Sequence, residues 1–232
     1  MTNEWQIVTV GLIKMSAQLK MRLPVAKTWG GRRKGAGRKR RALRPQVPHC
    51  RRVVFRHKLP VHVTVRLAAG LCDLRSKKGF AALSGAFAKG RLRFGFQLVN
   101  FSVQGNHLHL IVEAENEQSL TRGMKGLNVR MARALNKIMG RTGRVFADRY
   151  HARILQSPTE VQRALRYVHF NYHKHMHGSG HYVPWSYRDP LSTAVPHPAL
   201  VTPPRTWLLI HGPSHTPRRH ATQPPPPRPT TT

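Results

Sequence analysis

The centre of the chain carries the run Gly105-Asn106-His107-Leu108-His109-Leu110-Ile111-Val112-Glu113. Side chains alternate along a β-strand with a period of two, so the two leucines and Val112 face one way and His107 and His109 face the other. The two imidazole rings then lie side by side, about 7 Å apart over two strand steps. Because neutral imidazole is a common ligand of divalent metals, this strand predicts two ligands of a metal site.

The flanking segments predict an α+β domain. Alternating and helical apolar spacing predict strands at 61–67, 92–103 and 144–155 and helices at 76–89, 119–139 and 158–175. The last helix starts with a capping box, Ser157-Pro158-Thr159-Glu160. The order strand, helix, hairpin, helix, strand, helix indicates a ferredoxin-like, RRM-like sandwich: an antiparallel sheet with helices on one face plus a further C-terminal helix.

Composition divides the chain into three parts. Residues 1–56 are expected to form a basic, largely disordered arm, because a glycine-interrupted basic run without acids cannot bury apolar surface. Residues 57–193 form the folded domain. Residues 194–232 are expected to be a disordered tail rich in proline.

The charge balance predicts a polyanionic partner. The chain has 40 lysines and arginines against 8 acidic residues, a formal net charge of +32. Nucleic acid is the leading candidate, through counterion release, and an anionic membrane surface is the weaker one. No run is long and apolar enough to span a bilayer, and no signal peptide is expected. The protein is therefore expected in the cytoplasm, associated with the nucleoid.

Two polar side chains project together from the last helix. Tyr167 lies off its apolar stripe, and Asn171 follows one turn later on the same flank. If this helix packs near the hairpin, Asn171 can complete a metal site with His107 and His109. A divalent ion neutralises the charge of a phosphodiester, and a tyrosine hydroxyl beside it can act as a nucleophile once it is activated.

The order of these blocks resembles a known family. His107-Leu108-His109, the basic helix, the run from Gly143 to Tyr150 and the run from Leu165 to Asn171 are similar to the single-tyrosine HUH transposases. They resemble most closely the REP-associated tyrosine transposases, over about residues 57–193. Many relatives have proline after the helix asparagine, whereas Tyr172 follows here, which bears on the third ligand and on the end of the helix.

The resemblance implies a reaction and its residues. His107, His109 and Asn171 would bind a divalent metal, Mg²⁺ or Mn²⁺, and the last helix would be the catalytic helix. Tyr167 would be the nucleophile that forms a 5′-phosphotyrosine and frees a 3′-OH. The substrate would be single-stranded DNA with a hairpin, such as a REP-like element. The oligomeric state, monomer or homodimer, stays open.

Basic side chains are predicted to contact the DNA backbone. The candidates lie in the arm, on the basic helix and before the fourth strand: Arg32, Arg33, Lys34, Arg38, Lys39, Arg40, Arg41, Arg122, Lys125, Arg130 and Arg149.

Several alternatives stay open at this stage. Tyr150, Tyr172 and Tyr182 compete with Tyr167, although the first two favour packing. Glu113 could orient a ligand or simply end its strand, Trp185 and Tyr187 could stack on bases or pack in the core, and the histidines at 169, 173, 175 and 177 favour a solvated helix end.

Other functions are also possible on this fold. The main one is a non-catalytic single-strand or RNA binder. A two-histidine phosphoesterase would need a second H-x-T beside His62-Val63-Thr64, and a zinc deaminase would need a paired-cysteine motif that Cys50 and Cys72 do not form.

Overall fold

The computed structural model describes residues 54–214. All of these residues fall within one unit of the chain, residues 46–232. The predicted basic arm and its seven candidate DNA-binding residues, Arg32 to Arg41, lie outside the described residues. So do residues 215–232 of the predicted tail.

The core of the described domain is a five-stranded antiparallel sheet. Its strands are β1 (Leu59–Arg66), β2 (Leu92–Arg93), β3 (Phe96–Val103), β4 (His107–Ala114) and β5 (His151–Ile154), in the order β2-β3-β4-β1-β5. The histidine strand β4 is paired on both sides, with β3 and with β1. Its position in the middle of the sheet follows from its apolar face, since Leu108 and Leu110 are fully buried.

Helices cover both faces of this sheet. The helices α1 (Lys77–Gly90) and α2 (Glu117–Ile138) pack on one face in a cluster that includes Val63, Leu110 and Met124. The helix α3 (Pro158–Gly178) packs on the other face in a smaller cluster with Ile111 and Val168 at its centre. The predicted α+β sandwich with an added C-terminal helix is confirmed. None of the helices in residues 54–214 is long and apolar enough to cross a membrane.

The predicted second strand, 92–103, is interrupted. Phe94 and Gly95 form a two-residue turn with backbone φ angles of +56° and +71°, and Arg93 pairs with Phe96 across it. The sequence prediction was wrong here because Phe94 reads as one more alternating apolar residue. A side chain in the left-handed region costs about 1–2 kcal/mol, which makes a phenylalanine an unexpected turn residue.

The predicted fourth strand, 144–155, is also shorter than expected. Only residues 151–154 pair as β5, and Phe146 makes an isolated bridge to Leu67. The apolar residues before β5 are still buried, since Val145 is 2% exposed. These residues form a loop. A short apolar run in a sequence does not distinguish a buried strand from another buried conformation.

The prediction that residues 194–232 are disordered is wrong for the described portion. Part of this segment lies against β3, where Thr202 donates its N–H to Leu98 O at 2.9 Å. A short helix, α4 (Trp207–Ile210), packs Leu209 beside α3. The proline-rich composition concealed this because only a few specific contacts hold the segment: the buried Leu209, a few backbone hydrogen bonds and the contacts of Thr206 with Glu113.

Candidate functional site

A cluster of histidines lies on the face of the sheet that α3 covers. His109 on β4 and His62 on β1 have ring centroids 5.3 Å apart, and His107 is 5.0 Å from His109. Antiparallel pairing produces this arrangement, because Thr64 is directly opposite His109 and His62 is two residues along the same strand. Two alternating segments distant in sequence thus contribute imidazoles to one surface.

Each of the two candidate histidine ligands has one ring nitrogen that contacts a neighbouring side chain. Nδ1 of His107 is 2.9 Å from Oδ1 of Asn106, and Nδ1 of His109 is 3.2 Å from Oγ1 of Thr64 and 3.3 Å from Nε2 of His62. Nε2 of His109 is buried and has no hydrogen-bond partner among the described residues. In metal sites a hydrogen bond to one ring nitrogen typically fixes the tautomer that leaves the other free to bind.

The environment keeps these imidazoles neutral. Burial lowers the pKa of His109 to about 3, with further lowering by His62 and His107. Burial likewise lowers the pKa of His107 to about 4, helped by His175 and Arg66, and that of His62 to about 4, helped by His151 and Arg153. A neutral imidazole has the lone pair that a metal ligand requires.

The helix α3 lays a stripe of residues over this cluster. It starts where predicted, with Ser157 Oγ accepting the N–H of Glu160. Tyr167 stands edge-on to His109, with ring centroids 4.9 Å apart, and His175 is 5.2 Å from His107. Because residues at i, i+4 and i+8 share one helix face, Asn171 lies between these two contacts. The helix passes Asn171 without a break, so the residue that replaces the relatives' proline simply continues it.

Asn171 has the properties of an unused ligand. It is completely buried, yet neither its amide oxygen nor its amide nitrogen has a hydrogen-bond partner in residues 54–214. An unpaired buried amide costs about 1–3 kcal/mol of folding free energy, so we expect the amide of Asn171 to bind a partner. Within the described chain no group of three or more His, Cys, Asp or Glu side chains could hold a metal. The set of ligands predicted from the sequence, two imidazoles and this amide oxygen, is a mixed nitrogen and oxygen set that suits a divalent ion.

Tyr167 is accessible at the edge of the cluster. Its side chain is 37% exposed, and Nζ of Lys174 is 5.5 Å from its ring centroid. A lysine cation and neutral imidazoles therefore surround a reachable phenol. The arrangement can receive an anionic phosphodiester, bind a divalent cation and supply an oxygen nucleophile.

Sequence reasoning missed three side chains of this cluster. His62 and Thr64 were weighed only for a phosphoesterase motif, and His175 was assigned to a solvated helix end. The available signal was the alternation His62-Val63-Thr64, which matches that of His107-Leu108-His109. Only the register of β1 against β4 shows that the polar side chains of the two strands lie on the same face of the sheet.

The competing tyrosines lie elsewhere. Tyr150 is buried in the main core, and Tyr172 packs under the Arg75 guanidinium, whose central carbon is 4.2 Å from its ring centroid. Tyr182 is 75% exposed beyond the end of α3. The sequence left open whether Trp185 and Tyr187 pack in the core. Trp185 does not, since it is exposed and stacks on buried His173.

Glu113 serves the fold and not the histidine cluster. Its buried carboxylate accepts the N–H groups of Arg205 and Thr206 at 2.9 and 2.7 Å, as well as the Thr206 hydroxyl. It also pairs with Gln97. The alternative that Glu113 orients a metal ligand is therefore wrong, because these contacts tie down the C-terminal segment.

The predicted DNA-binding residues of the described domain do not gather at the histidines. Arg122, Lys125 and Arg130 line a groove along α2, on the face of the sheet opposite α3. Arg149 is exposed just before β5. The structure thus separates the basic groove from the histidine cluster by the thickness of the sheet.

Part of the chain is similar to a known family. Residues 77–171 match the model of the family described as "Transposase IS200 like". The matched segment includes His107, His109 and Tyr167 and ends at Asn171. No curated protein matches the sequence.

Two solved structures share similarity with the chain. One is a REP-associated tyrosine transposase bound to a REP hairpin, 15% identical, with a TM-score of 0.46 over 56% of this chain and 74% of that one. The other is a crystal structure of a "putative transposase" from Deinococcus radiodurans R1, 16% identical, with a TM-score of 0.37 over 56% of this chain and 95% of that one.

Proposed function

We propose, from the match of residues 77–171 to the IS200-like transposase family, that the chain is a metal-dependent endonuclease and strand transferase for single-stranded DNA. It cuts and rejoins DNA through a 5′-phosphotyrosine at sites beside hairpins, such as REP-like elements. Tyr167 is the nucleophile, and His107, His109 and Asn171 are the metal ligands.

One observation carries the proposal. The Tyr167 ring is 4.9 Å from that of His109, whose ring is 5.0 Å from that of His107. The three side chains come from two elements, β4 and α3, that are far apart in the sequence. Their convergence on one accessible surface is what a phosphoryl-transfer centre needs.

The side chains divide the work of the reaction. Tyr167 Oη attacks the phosphorus and forms a P–O bond, while the bond from phosphorus to the 3′ oxygen breaks. The phenol gives its proton to water, and the 3′ oxygen takes one from water, so that charge and protons balance. Because the phosphodiester bond energy is kept in the tyrosine ester, attack by a 3′-OH rejoins the strand without a nucleotide cofactor.

His107, His109 and Asn171 would hold Mg²⁺ or Mn²⁺, which would supply positive charge to offset that of the scissile phosphate. Thr64, His62 and Asn106 hold the ligand rings through their Nδ1 atoms. Lys174 brings a positive charge to the Tyr167 side of the cluster and offsets the charge of the incoming phosphate. Because the proposed substrate is DNA, we expect the protein in the cytoplasm, associated with the nucleoid.

Covalent trapping tests the proposal. The full-length protein is incubated with labelled single strands from the DNA flanking its own gene, with Mg²⁺, with Mn²⁺ and with a chelator, and the products are separated on a denaturing gel. We expect a protein–DNA adduct that needs metal. It should disappear in Tyr167→Phe and in His107→Ala and persist in Tyr172→Phe, a matched tyrosine on the same helix.

Two results would contradict parts of the proposal. An adduct that survives Tyr167→Phe would keep the reaction and move the nucleophile. Tight, salt-sensitive binding with no adduct on any strand would favour the alternative function, a non-catalytic module that binds single-stranded nucleic acid on this fold.

A further inference from the structure

The loop after α3 presents a tryptophan ring that is held in place but not covered. Trp185 is 63% exposed, and its ring is nearly parallel to that of His173, at an angle of 8° with the centroids 5.7 Å apart. His173 is buried, and its Nε2 lies 3.0 Å from the carbonyl oxygen of Pro184. The indole therefore rests on a fixed ring while most of its side chain stays accessible.

Further contacts hold this loop against α3. Nη1 of Arg188 donates to the carbonyl oxygen of Trp185 at 2.9 Å, and the ring centroid of Phe170 is 5.9 Å from that of Trp185. The guanidinium carbon of Arg188 is also 5.7 Å from the Phe170 ring centroid, within the range of cation–π attraction. The acid of the loop, Asp189, is buried and held in a salt bridge of 2.8 Å. The surface that we call the tryptophan platform, formed by Trp185, Phe170 and Arg188, therefore presents aromatic rings and a cation.

The tryptophan platform adjoins the proposed nucleophile. Phe170 follows Tyr167 by three residues on α3, and side chains at that spacing are neighbours, with Cβ atoms about 5–6 Å apart. Arg166 and Lys174 lie one turn before and one turn after Phe170, and both are exposed. Nζ of Lys174 is 5.5 Å from the ring centroid of Tyr167. A row of cations therefore runs along the helix surface beside Tyr167 and the tryptophan platform.

We propose that the tryptophan platform is a binding site for an unpaired DNA base close to the phosphate that is cut. The base stacks on the exposed indole of Trp185, and the neighbouring cations on α3 and in the loop hold the adjoining phosphates. An aromatic ring beside a row of cations suits this role for any sequence, because every base has a π-face. The site would keep the single strand beside Tyr167 without selecting its bases. The inference deepens the proposed function and rests on it in taking single-stranded DNA as the substrate.

The test uses Trp185→Leu in the full-length protein. Leucine keeps an apolar side chain over His173 and removes the ring, so this variant should unfold near the temperature of the wild type. Binding is followed by fluorescence anisotropy in a chelator at fixed salt, with a labelled single strand that cannot form a hairpin and with its blunt duplex. We expect about tenfold weaker binding of the single strand, because one stacked base is lost. Binding of the duplex, whose bases stack on one another, should not change.

Three further variants sharpen the assay. Trp185→Phe keeps an aromatic ring and should bind the single strand more tightly than Trp185→Leu. Arg166→Gln should weaken binding of the single strand and reduce the slope of log affinity against log salt by about 0.7, the value for one phosphate contact on a single strand. Trp207→Ala removes another exposed tryptophan, on α4, and should change the affinity for neither DNA.

Clear outcomes would overturn the proposal. It fails if Trp185→Leu binds the single strand as the wild type does, if single strand and duplex weaken equally, or if Trp207→Ala causes the same loss. Binding in a chelator needs no cleavage, so a protein that forms no tyrosine adduct still tests the tryptophan platform. Conversely, if the wild type forms the adduct and Trp185→Leu matches it in binding and in adduct yield at low DNA concentration, the proposed function stands and the tryptophan platform does not.

Discussion

Acid should destabilise this domain through His109 in particular. The side chain is 5% exposed, and its pKa falls from 6.5 to about 3 on folding. The folded state therefore binds fewer protons than the unfolded state over that interval. The contribution is fully favourable above pH 6.5 and is lost as pH falls towards 3, by about 1.4 kcal/mol per pH unit. At pH 5 the loss amounts to about 2 kcal/mol.

A comparison of two proteins isolates this effect. Urea unfolding is measured at pH 8 and pH 5 for the wild type and for His109→Gln, which carries no titratable ring. A chelator is included, because cation binding would add its own pH dependence. Between the two pH values we expect the wild type to lose about 2 kcal/mol more free energy of unfolding than the variant.

Equal losses in the two proteins would refute the reasoning. They would mean that His109 is protonated in the folded domain at pH 5 without penalty, and so is neither desolvated nor repelled by its histidine neighbours. Unchanged m-values would show that the same unfolding transition is being compared.

Three other substitutions have outcomes that the structure predicts. Asn171→Leu should raise the free energy of unfolding by about 1 kcal/mol in metal-free buffer, because it removes an unpaired buried amide. It should also abolish metal-dependent adduct formation. A lower free energy of unfolding in urea would contradict the view that this amide has no partner. Gly123→Ala should lower the free energy of unfolding by about 2–3 kcal/mol, because an added Cβ would overlap the ring of Phe96. A thermal midpoint within a degree of the wild type would contradict that contact. Glu113→Gln should destabilise the domain by about 2 kcal/mol, since it weakens the acceptor of the hydrogen bonds from Thr206. Limited proteolysis should then cut the C-terminal segment first. An unchanged cleavage pattern would contradict the view that Glu113 anchors this segment.

The sequence was a good guide to the elements and to half of the site. Period-two alternation located the histidine strand, and a capping box located the start of α3 to the residue. The offset of Tyr167 from the apolar stripe predicted correctly that it would stand beside the core and not in it. These signals are local, since each depends on spacing within one element.

The misses have a different physical origin. Phe94 looked like a strand residue because its side chain is apolar, although its backbone is left-handed. The segment after residue 194 looked disordered because its composition is dominated by prolines. In the structure Leu209 is buried beside α3, and Thr206 is bound to Glu113, which is 93 residues away in the sequence. Composition and periodicity carry no information about such partners.

The sequence by itself determined the α+β order of elements, the pair of imidazoles on one strand face, the Tyr167–Asn171 spacing and a positive charge large enough to need a polyanion. Only the tertiary structure decided that His62, Thr64 and His175 join that pair, that Glu113 belongs to the scaffold, and that the basic groove of α2 lies on the other side of the sheet. The reason is physical. Spacing along a chain fixes which residues share a face of one element, whereas strand register and the choice of sheet face, set by burial of the whole core, fix which faces meet.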